Sequence, residues 1–358
     1  MEYEPRGATV VVTGASGLVG SHVVEYLTNN NYDVVAVLRT VPDYLQKFAD
    51  NHKGEGTLRF HIADVTSKES LAKAFAGAQA VVHAAGSVDA FGTREAIFAT
   101  NVDGTKNALE AAKDAGVTHF IFISSLSVIT GQGDQYNVDE TEPLKPCGEN
   151  YADSKIEAEK AVMAYAGKGS MCVTSLRPGF IYGPRERSWM PRLINSIRTG
   201  KAMLIDGGTK ETNVIYVGNL SVAVQKTLFN QAAYGQVYNL TDGQKISKKM
   251  LFDSIADGLK LPRVTKKIPG GVAKFACEVI SSIAPSLPVD KQRSLARFSR
   301  AAFRLAGVNQ GFSVAKAERD LLYVNRIPFA EGMKATLETF KSDSNSQAAK
   351  PVGEAVSR

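Results

Sequence analysis

Tyr151 and Lys155 stand four residues apart in the run Tyr-Ala-Asp-Ser-Lys, at the start of a stretch with helical spacing, so both fall on one helix face a single turn apart. A tyrosine titrating at about 10 is a poor proton donor or acceptor at neutral pH. Bringing it to about 7 needs roughly 4 kcal/mol of preferential phenolate stabilisation, which an adjacent ammonium in a partly desolvated cleft can supply. Alone, such a pair is usually a solvated helix face. Here it follows the apolar run Phe120-Ile121-Phe122-Ile123 and the serines Ser124-Ser125, and strand ends on that edge of a parallel sheet point at a cofactor crevice.

A second chemical signature is the turn Gly14-Ala15-Ser16-Gly17-Leu18-Val19-Gly20. Glycines also mark ordinary turns, so the context decides. Thr13 ends a buried strand and a helix begins within the run. Gly14 can make the tight turn, Gly17 lets backbone approach a pyrophosphate, and Gly20 permits close helix–sheet packing. The helix N-terminus offers N–H groups and a partial positive charge to the phosphates. A bound nicotinamide dinucleotide is the expectation. At the end of the second strand a carboxylate would hold the ribose 2′-hydroxyl of NAD, and an arginine the 2′-phosphate of NADP. The residues there are Leu38-Arg39-Thr40, which favours NADP(H) over NAD(H), the alternative being that Arg39 is merely solvated. Asp64-Val65, after the third strand, either lies along the adenine or places Asp64 as a helix cap.

These groups need a scaffold of alternating strands and helices. A continuous apolar run predicts a buried strand at Ala8–Thr13, a second apolar strand is expected at Val34–Leu38, and further buried strands are expected at Leu58–Ile62, Ala80–His83, Phe120–Ile123 and Cys172–Leu176. Helical spacing covers Ser21–Asn29, Ser67–Phe75, Ile97–Ala115 and Tyr151–Tyr165 between them. The fold class is therefore α/β: a doubly wound parallel sheet of the Rossmann type with a smaller C-terminal substrate-binding lobe. The dinucleotide-binding domain is expected over residues 1–178, with 214–240 returning to it; Val214–Val217 is read as a strand of the main sheet. Residues 179–213 and 241–341 form the lobe, and 342–358, aperiodic and rich in Ser, Ala, Gln and Lys, a disordered tail.

Composition is that of an ordinary globular chain, 44% hydrophobic and 22% charged over 358 residues. Cys147, Cys172 and Cys277 show no paired spacing, so neither a disulfide framework nor a metal knuckle is expected, and a reducing, cytoplasmic setting is. The polar segment Met1–Ala8 lacks the layout of a secretory signal. The net charge of +6 comes from dispersed basic residues without an aromatic-interleaved stripe, which argues against a nucleic-acid partner.

In these ordered segments the chain resembles an extended short-chain dehydrogenase/reductase, the superfamily that holds nucleotide-sugar epimerases, dihydroflavonol-type reductases and 3β-hydroxysteroid dehydrogenases. The resemblance runs from about Thr9 to Lys341 through the glycine turn, Asp64-Val65, His83-Ala84-Ala85-Gly86, Asn101-Val102-Asp103-Gly104-Thr105, Ser124-Ser125, Tyr151 to Lys155, and Arg177-Pro178-Gly179-Phe180-Ile181-Tyr182-Gly183-Pro184. It implies Tyr151 as general acid/base, Lys155 on the nicotinamide ribose and lowering the tyrosine's pKa, and Ser125 on the substrate oxygen, with Ser124 the alternative if the loop aligns one residue differently. It further implies that Gly14, Ser16, Gly17, Leu18, Val19, Ala84, Ala85 and Gly86 line the cofactor. Asn101 would support the active-site helix, and Pro178-Gly179 would lie against the nicotinamide. His83, lacking a metal-ligand partner at short spacing, reads as structural; no metal site is expected.

Sugar-nucleotide enzymes of this superfamily carry an arginine in an R-D-Y-I-H-V-type segment that grips a diphosphate. The matching stretch here, Thr212-Asn213-Val214-Ile215-Tyr216-Val217-Gly218-Asn219-Leu220, lacks it, although Arg185 or Arg187 could stand in. This form, with Phe312 to Tyr323 and Phe329 to Met333, resembles the hydroxysteroid dehydrogenase branch, including the sterol-4α-carboxylate 3-dehydrogenases. The implied activity is interconversion of a secondary alcohol and a ketone on a hydrophobic, sterol-like substrate. The alternatives are a nucleotide-sugar epimerase or dehydratase, a dihydroflavonol-type reductase, and a non-catalytic dinucleotide sensor. The family also implies a homodimer through the helices at 97–115 and 151–165. Finally, Val272, Phe275, Ala276, Val279 and Ile283 share a helical face among Lys266, Lys267, Lys274, Lys291 and Arg293. Residues 266–293 either touch an anionic membrane peripherally or close the lobe onto the core.

Overall fold

The computed structural model describes residues 7–88, 92–130, 133–283, 303, 306–324 and 326–348. Seven strands form one parallel sheet: β1 (Thr9–Thr13), β2 (Asp33–Leu38), β3 (Leu58–Ile62), β4 (Ala80–His83), β5 (His119–Ile123), β7 (Cys172–Pro178) and β12 (Val237–Leu240), in the order β12-β7-β5-β4-β1-β2-β3. The order reverses at β1, so the crevice between β1 and β4 opens at the carboxyl ends of both strands.

Alternation along each strand supplies the two faces. Val10 and Val12 pack with Val23 and Leu27 of α1 (Leu18–Asn29) and Leu220 and Val224 of α8 (Val217–Thr227). Val11 points the other way, against α3 (Lys68–Phe75), α5 (Gly104–Asp114) and α6 (Asn150–Met163). Each such buried side chain contributes about 1.5–3 kcal/mol, and burial on both faces is why these strands read as unbroken apolar runs. Leu58–Ile62 differs from expectation: β3 is the edge strand, and Ile62 is 61% exposed. A short helix α2 (Asp43–Asn51) precedes it, and the expected helix 97–115 is divided into α4 (Arg94–Phe98), a π-helical turn at Ala99–Asp103, and α5. Ser67, not Asp64, caps α3, its hydroxyl accepting the Ser70 N–H at 3.3 Å.

The lobe has its own core, in which Tyr182, Ile194, Val214, Ile255, Phe329 and Met333 meet. It is built from paired short strands: β6 (Gln135–Val138) with β15 (Gln310–Phe312), β8 (Phe180–Tyr182) with β11 (Val214–Tyr216), β9 (Leu204–Ile205) with β14 (Lys267–Ile268), and β10 (Glu211–Thr212) with β13 (Ile246–Ser247). Helices α7 (Met190–Arg198), α9 (Lys248–Gly258), α10 (Gly270–Ile283) and α12 (Phe329–Ala348) complete it, whereas α11 (Ala315–Leu321) packs Ala317 and Leu321 on the core of the main sheet. Val214–Val217 therefore does not enter the main sheet as expected. Gly179 lets the chain leave β7 and start β8, which takes β11 as its partner, and the last place in the sheet goes to β12. Nor is 342–358 wholly without structure: α12 runs on to Ala348, a helix already nucleated upstream continuing through residues of low helix propensity. Residues 349–358 lie outside the described residues.

Asp242, just past β12, gathers the lobe. Its carboxylate accepts the Tyr182 hydroxyl at 2.7 Å, and the Tyr216 N–H and the Asn219 amide at 2.8 Å each. Asn219 also exchanges hydrogen bonds with the backbone of Ile327 at 2.7 and 2.9 Å. A second buried charge joins α6 to β7: the Arg177 Nε donates to both oxygens of Glu159, at 3.0 and 3.1 Å, and Ser175 donates to Oε2 at 2.8 Å. Both side chains are almost fully buried. Glu159→Ala leaves the Arg177 guanidinium uncompensated, so urea unfolding should show a loss of about 3–5 kcal/mol; a loss within experimental error would show that water replaces the carboxylate.

Candidate active site

The glycine turn is shaped by what it excludes. Gly14 has φ +66, and a Cβ there would stand 2.7 Å from the Ala85 backbone; one on Gly20 would stand 2.2 Å from the Gly14 carbonyl. Both positions demand glycine. The helix that follows, α1, has no side-chain cap and no carboxylate in its first turn, so the N–H groups around Leu18 and Val19 face an open end. The Ser16 carbonyl is held by the Tyr44 hydroxyl at 2.7 Å. Arg39, exposed at the end of β2, lies close enough to Asp64 to help lower that carboxyl below its ordinary range, after the two hydrogen bonds Asp64 accepts from Thr66. Val65 is buried against Gly104. A cradle with no room for Cβ atoms, an uncapped helix start and an exposed guanidinium at the ribose end fit a nicotinamide dinucleotide.

A string of buried hydrogen bonds runs from this turn to the helix that carries Tyr151. The Thr105 hydroxyl donates to the Asn101 carbonyl at 2.6 Å, so its oxygen accepts from His83 Nε2 at 3.1 Å. His83 Nδ1 then accepts the Thr13 hydroxyl at 2.8 Å, and the Thr13 oxygen accepts the Ala85 N–H at 3.3 Å. Burial, helped by the Lys155 charge, pushes His83 down to about 3, which keeps the ring neutral as this arrangement requires. Asn101, in the π-helical turn, accepts the Ser87 N–H at 2.6 Å and donates to the Ser154 hydroxyl at 2.9 Å. Ser154 in turn donates to the Tyr151 carbonyl at 2.8 Å.

On α6 the Lys155 ammonium donates to the Ile123 carbonyl at 2.8 Å and lies over the Phe122 ring at 4.7 Å. Burial pushes it down to about 8, opposed by the Glu159 carboxylate one turn on. The half-buried Tyr151 is raised by burial, and a hydrogen bond from Ser125 works against that rise. The expected depression of Tyr151 by Lys155 is not what dominates: the lysine is turned to Ile123, and desolvation prevails. Ser125, extended at the head of a 3₁₀ turn, is the serine that faces the phenol, and it also accepts the Ser127 N–H at 3.1 Å. Ser124 is buried, with its hydroxyl unpartnered.

Gly86 borders Lys155, since a Cβ on it would lie 3.4 Å from the ammonium. Pro178-Gly179 closes the other side: a Cβ on Gly179 would overlap the Asn213 carbonyl at 1.8 Å. Asn213, beside Gly179, is buried with its Oδ1 unpartnered. Residue spacing pointed to neither Asn213 nor Ser154, and only the fold brings them to this edge. Arg185 does not stand free to replace the missing arginine. It holds Glu25 of α1 through two hydrogen bonds at 2.8 and 2.9 Å and stacks over Tyr44 at 4.8 Å. Thr212 sits buried where the arginine would be, while Arg187 is exposed.

A seven-stranded parallel sheet, its glycine turn at the switch point and the Tyr151–Lys155 helix across the crevice are the features of extended short-chain dehydrogenases/reductases. Within that class the chain belongs to the 3-beta hydroxysteroid dehydrogenase/isomerase family, whose family model matches residues 11–262. It is an oxidoreductase of CH–OH groups that uses a nicotinamide cofactor. It is 27% identical to 3beta-hydroxysteroid-dehydrogenase/decarboxylase isoform 1 of Arabidopsis thaliana, over 95% of this chain and 81% of that protein. With the Homo sapiens sterol-4-alpha-carboxylate 3-dehydrogenase, decarboxylating, it shares 29% identity, over 92% of this chain and 87% of that one. Among solved structures, DesIV (dTDP-glucose 4,6-dehydratase) from Streptomyces venezuelae, with NAD and TYD bound, superposes with a TM-score of 0.73 at 21% identity, covering 94% of this chain and 98% of that one. That likeness is one of fold.

The depressed value of His83 has a sign that can be measured. Above about 6.5 folded and unfolded chains both hold a neutral ring; below it only the unfolded chain takes up a proton, so stability is lost as pH falls from 6.5 towards 3. His83→Gln should flatten the fall in unfolding free energy between about pH 6 and 5 by up to about 1.4 kcal/mol per pH unit. An unchanged slope would mean that the ring is protonated in the folded protein.

Proposed function

We propose that this protein is an NADP(H)-preferring oxidoreductase that interconverts a secondary alcohol and a ketone on a hydrophobic, sterol-like substrate. The observation that carries the reading is the Ser125 hydroxyl facing Tyr151 at the carboxyl edge of the sheet, one helical turn from Lys155. In ketone reduction the two hydroxyls donate hydrogen bonds to the substrate oxygen. Tyr151, kept neutral by burial, gives up its proton as charge develops on that oxygen. In the reverse direction the phenolate must take that proton, and Lys155 is the nearby cation available to stabilise it. Gly14 and Gly17 with the start of α1 would hold the pyrophosphate, Arg39 the 2′-phosphate and Lys155 the nicotinamide ribose. The bound cofactor supplies or accepts the hydride.

The substrate class is supported by what stands in place of a diphosphate grip. Thr212 is buried, and Arg185 is committed to Glu25. The names of the Arabidopsis and human relatives, which carry 3beta-hydroxysteroid and sterol activities, point the same way.

Tyr151→Phe should lower turnover of a steroid ketone by 10²–10⁴-fold, followed at 340 nm, with dinucleotide affinity preserved. Turnover within tenfold of wild type, or turnover of UDP-sugars with no net absorbance change, would sink this mechanism. Arg39→Asp should weaken NADPH binding by at least about tenfold while sparing NADH, read by cofactor fluorescence titration. If both cofactors bind the wild type equally and the substitution changes neither, Arg39 is only a solvated residue.

A further inference from the structure

Glu159 and Arg177 carry an ion pair into the interior, and such a pair adds little stability over two apolar side chains of similar volume. Its place in the fold gives it a second use. Glu159 lies one helical turn beyond Lys155 on the buried face of α6, as Lys155 lies one turn beyond Tyr151.

Lys155 is a charge taken out of water, and among the described residues its one hydrogen-bond acceptor is the Ile123 carbonyl, at 2.8 Å. The elements packed around it offset that charge very little. β4 brings His83, which is neutral, and β5 brings the Phe122 ring. The π-helical turn brings the Asn101 amide, while its Asp103 is exposed beside Lys106 at 3.9 Å. Tyr151, on α6 itself, is kept protonated by burial. Glu159 is the carboxylate whose charge acts on Lys155, and it works against the desolvation.

That carboxylate is also kept from pairing with the lysine outright. The Arg177 Nε donates to both of its oxygens, at 3.0 and 3.1 Å, and Ser175 to Oε2 at 2.8 Å. Glu159 is thereby held towards β7, and the ammonium stays beside Ile123 at the end of β5 instead of being drawn along the helix.

We propose that Glu159 is a positioning residue of the active site: held by Arg177 and Ser175, it is the counter-charge that keeps Lys155 an ammonium without pulling it out of the crevice. The inference rests on the proposed use of Lys155, to hold the nicotinamide ribose and stabilise the phenolate.

The test replaces the ion pair by a neutral one, Glu159→Gln with Arg177→Met, so that no buried charge is stranded and the thermal midpoint stays close to that of wild type. Titration of Lys155 is followed by NMR of protein carrying isotope-labelled lysine, without cofactor or substrate, its Cε resonance being identified by its loss in Lys155→Met. The wild-type side chain should titrate at about 8. In the neutral pair it should titrate lower by about one pH unit or more. Glu159→Asp, which keeps the negative charge, should titrate closer to wild type than to the neutral pair. An unchanged titration in the neutral pair overturns the proposal, as does an equal fall in Glu159→Asp, which would trace the effect to packing. Failure of the neutral pair to fold overturns it too, since the ion pair would then serve the fold itself. The alkaline limb of kcat/KM for ketone reduction should move down together with the titration. If the titration moves and the limb does not, Glu159 still sets the charge of Lys155, and the part proposed for Lys155 in the reaction is what fails.

Discussion

The structure depends on one buried run of hydrogen bonds that carries the position of the glycine turn across the sheet to the helix holding Tyr151. Ala85, Thr13, His83, Thr105, Asn101 and Ser154 each satisfy a neighbour, and every polar atom in the run is spoken for by the next. In a low-dielectric interior an unsatisfied member costs its full desolvation, so the run has few alternative arrangements. Its direction is set at both ends by backbone groups, an N–H at Ala85 and a carbonyl at Tyr151. The distance between the dinucleotide turn and the phenol is thus tied to core packing rather than left to a loop.

The sheet was legible in the sequence because strands buried on both faces leave continuous apolar runs. The same reasoning explains its limits. Leu58–Ile62 is expected buried yet occupies the edge, where the alternation of Arg59 and His61 with apolar residues fits, and Val214–Val217 signals burial without naming its partner. Val237–Leu240, short and containing Asn239, gave no strong signal, although it completes the sheet. The π-helical turn at Ala99–Asp103 shifts the helix face by about 100°, a shift that the few bulky apolar residues on either side of it do not display.

At the site, spacing exposed Tyr151, Lys155 and the glycines because each makes a demand that few other residue types meet. Arg39 and Ser125 were legible by position relative to strand ends. The supporting residues were not: Thr13, Thr105 and Ser154 are common polar residues, and the side chains they meet at His83 and Asn101 lie 70, 22 and 53 positions away along the chain. Arg185 illustrates the converse. Its place after Gly183-Pro184 offers it to a ligand, yet Glu25 and Tyr44, remote in sequence, had already taken it.

Asp242 bears on how the chain could be divided or recombined. The carboxylate that collects Tyr182, Tyr216 and Asn219 follows β12, the last strand of the main sheet, so the lobe is assembled around a point that the dinucleotide-binding half supplies. A lobe transplanted from another member of the family would have to arrive with its own version of that corner. The two halves thus share one buried corner, and a cut between them would leave the Tyr182 hydroxyl, the Tyr216 N–H and the Asn219 amide without the carboxylate that joins them.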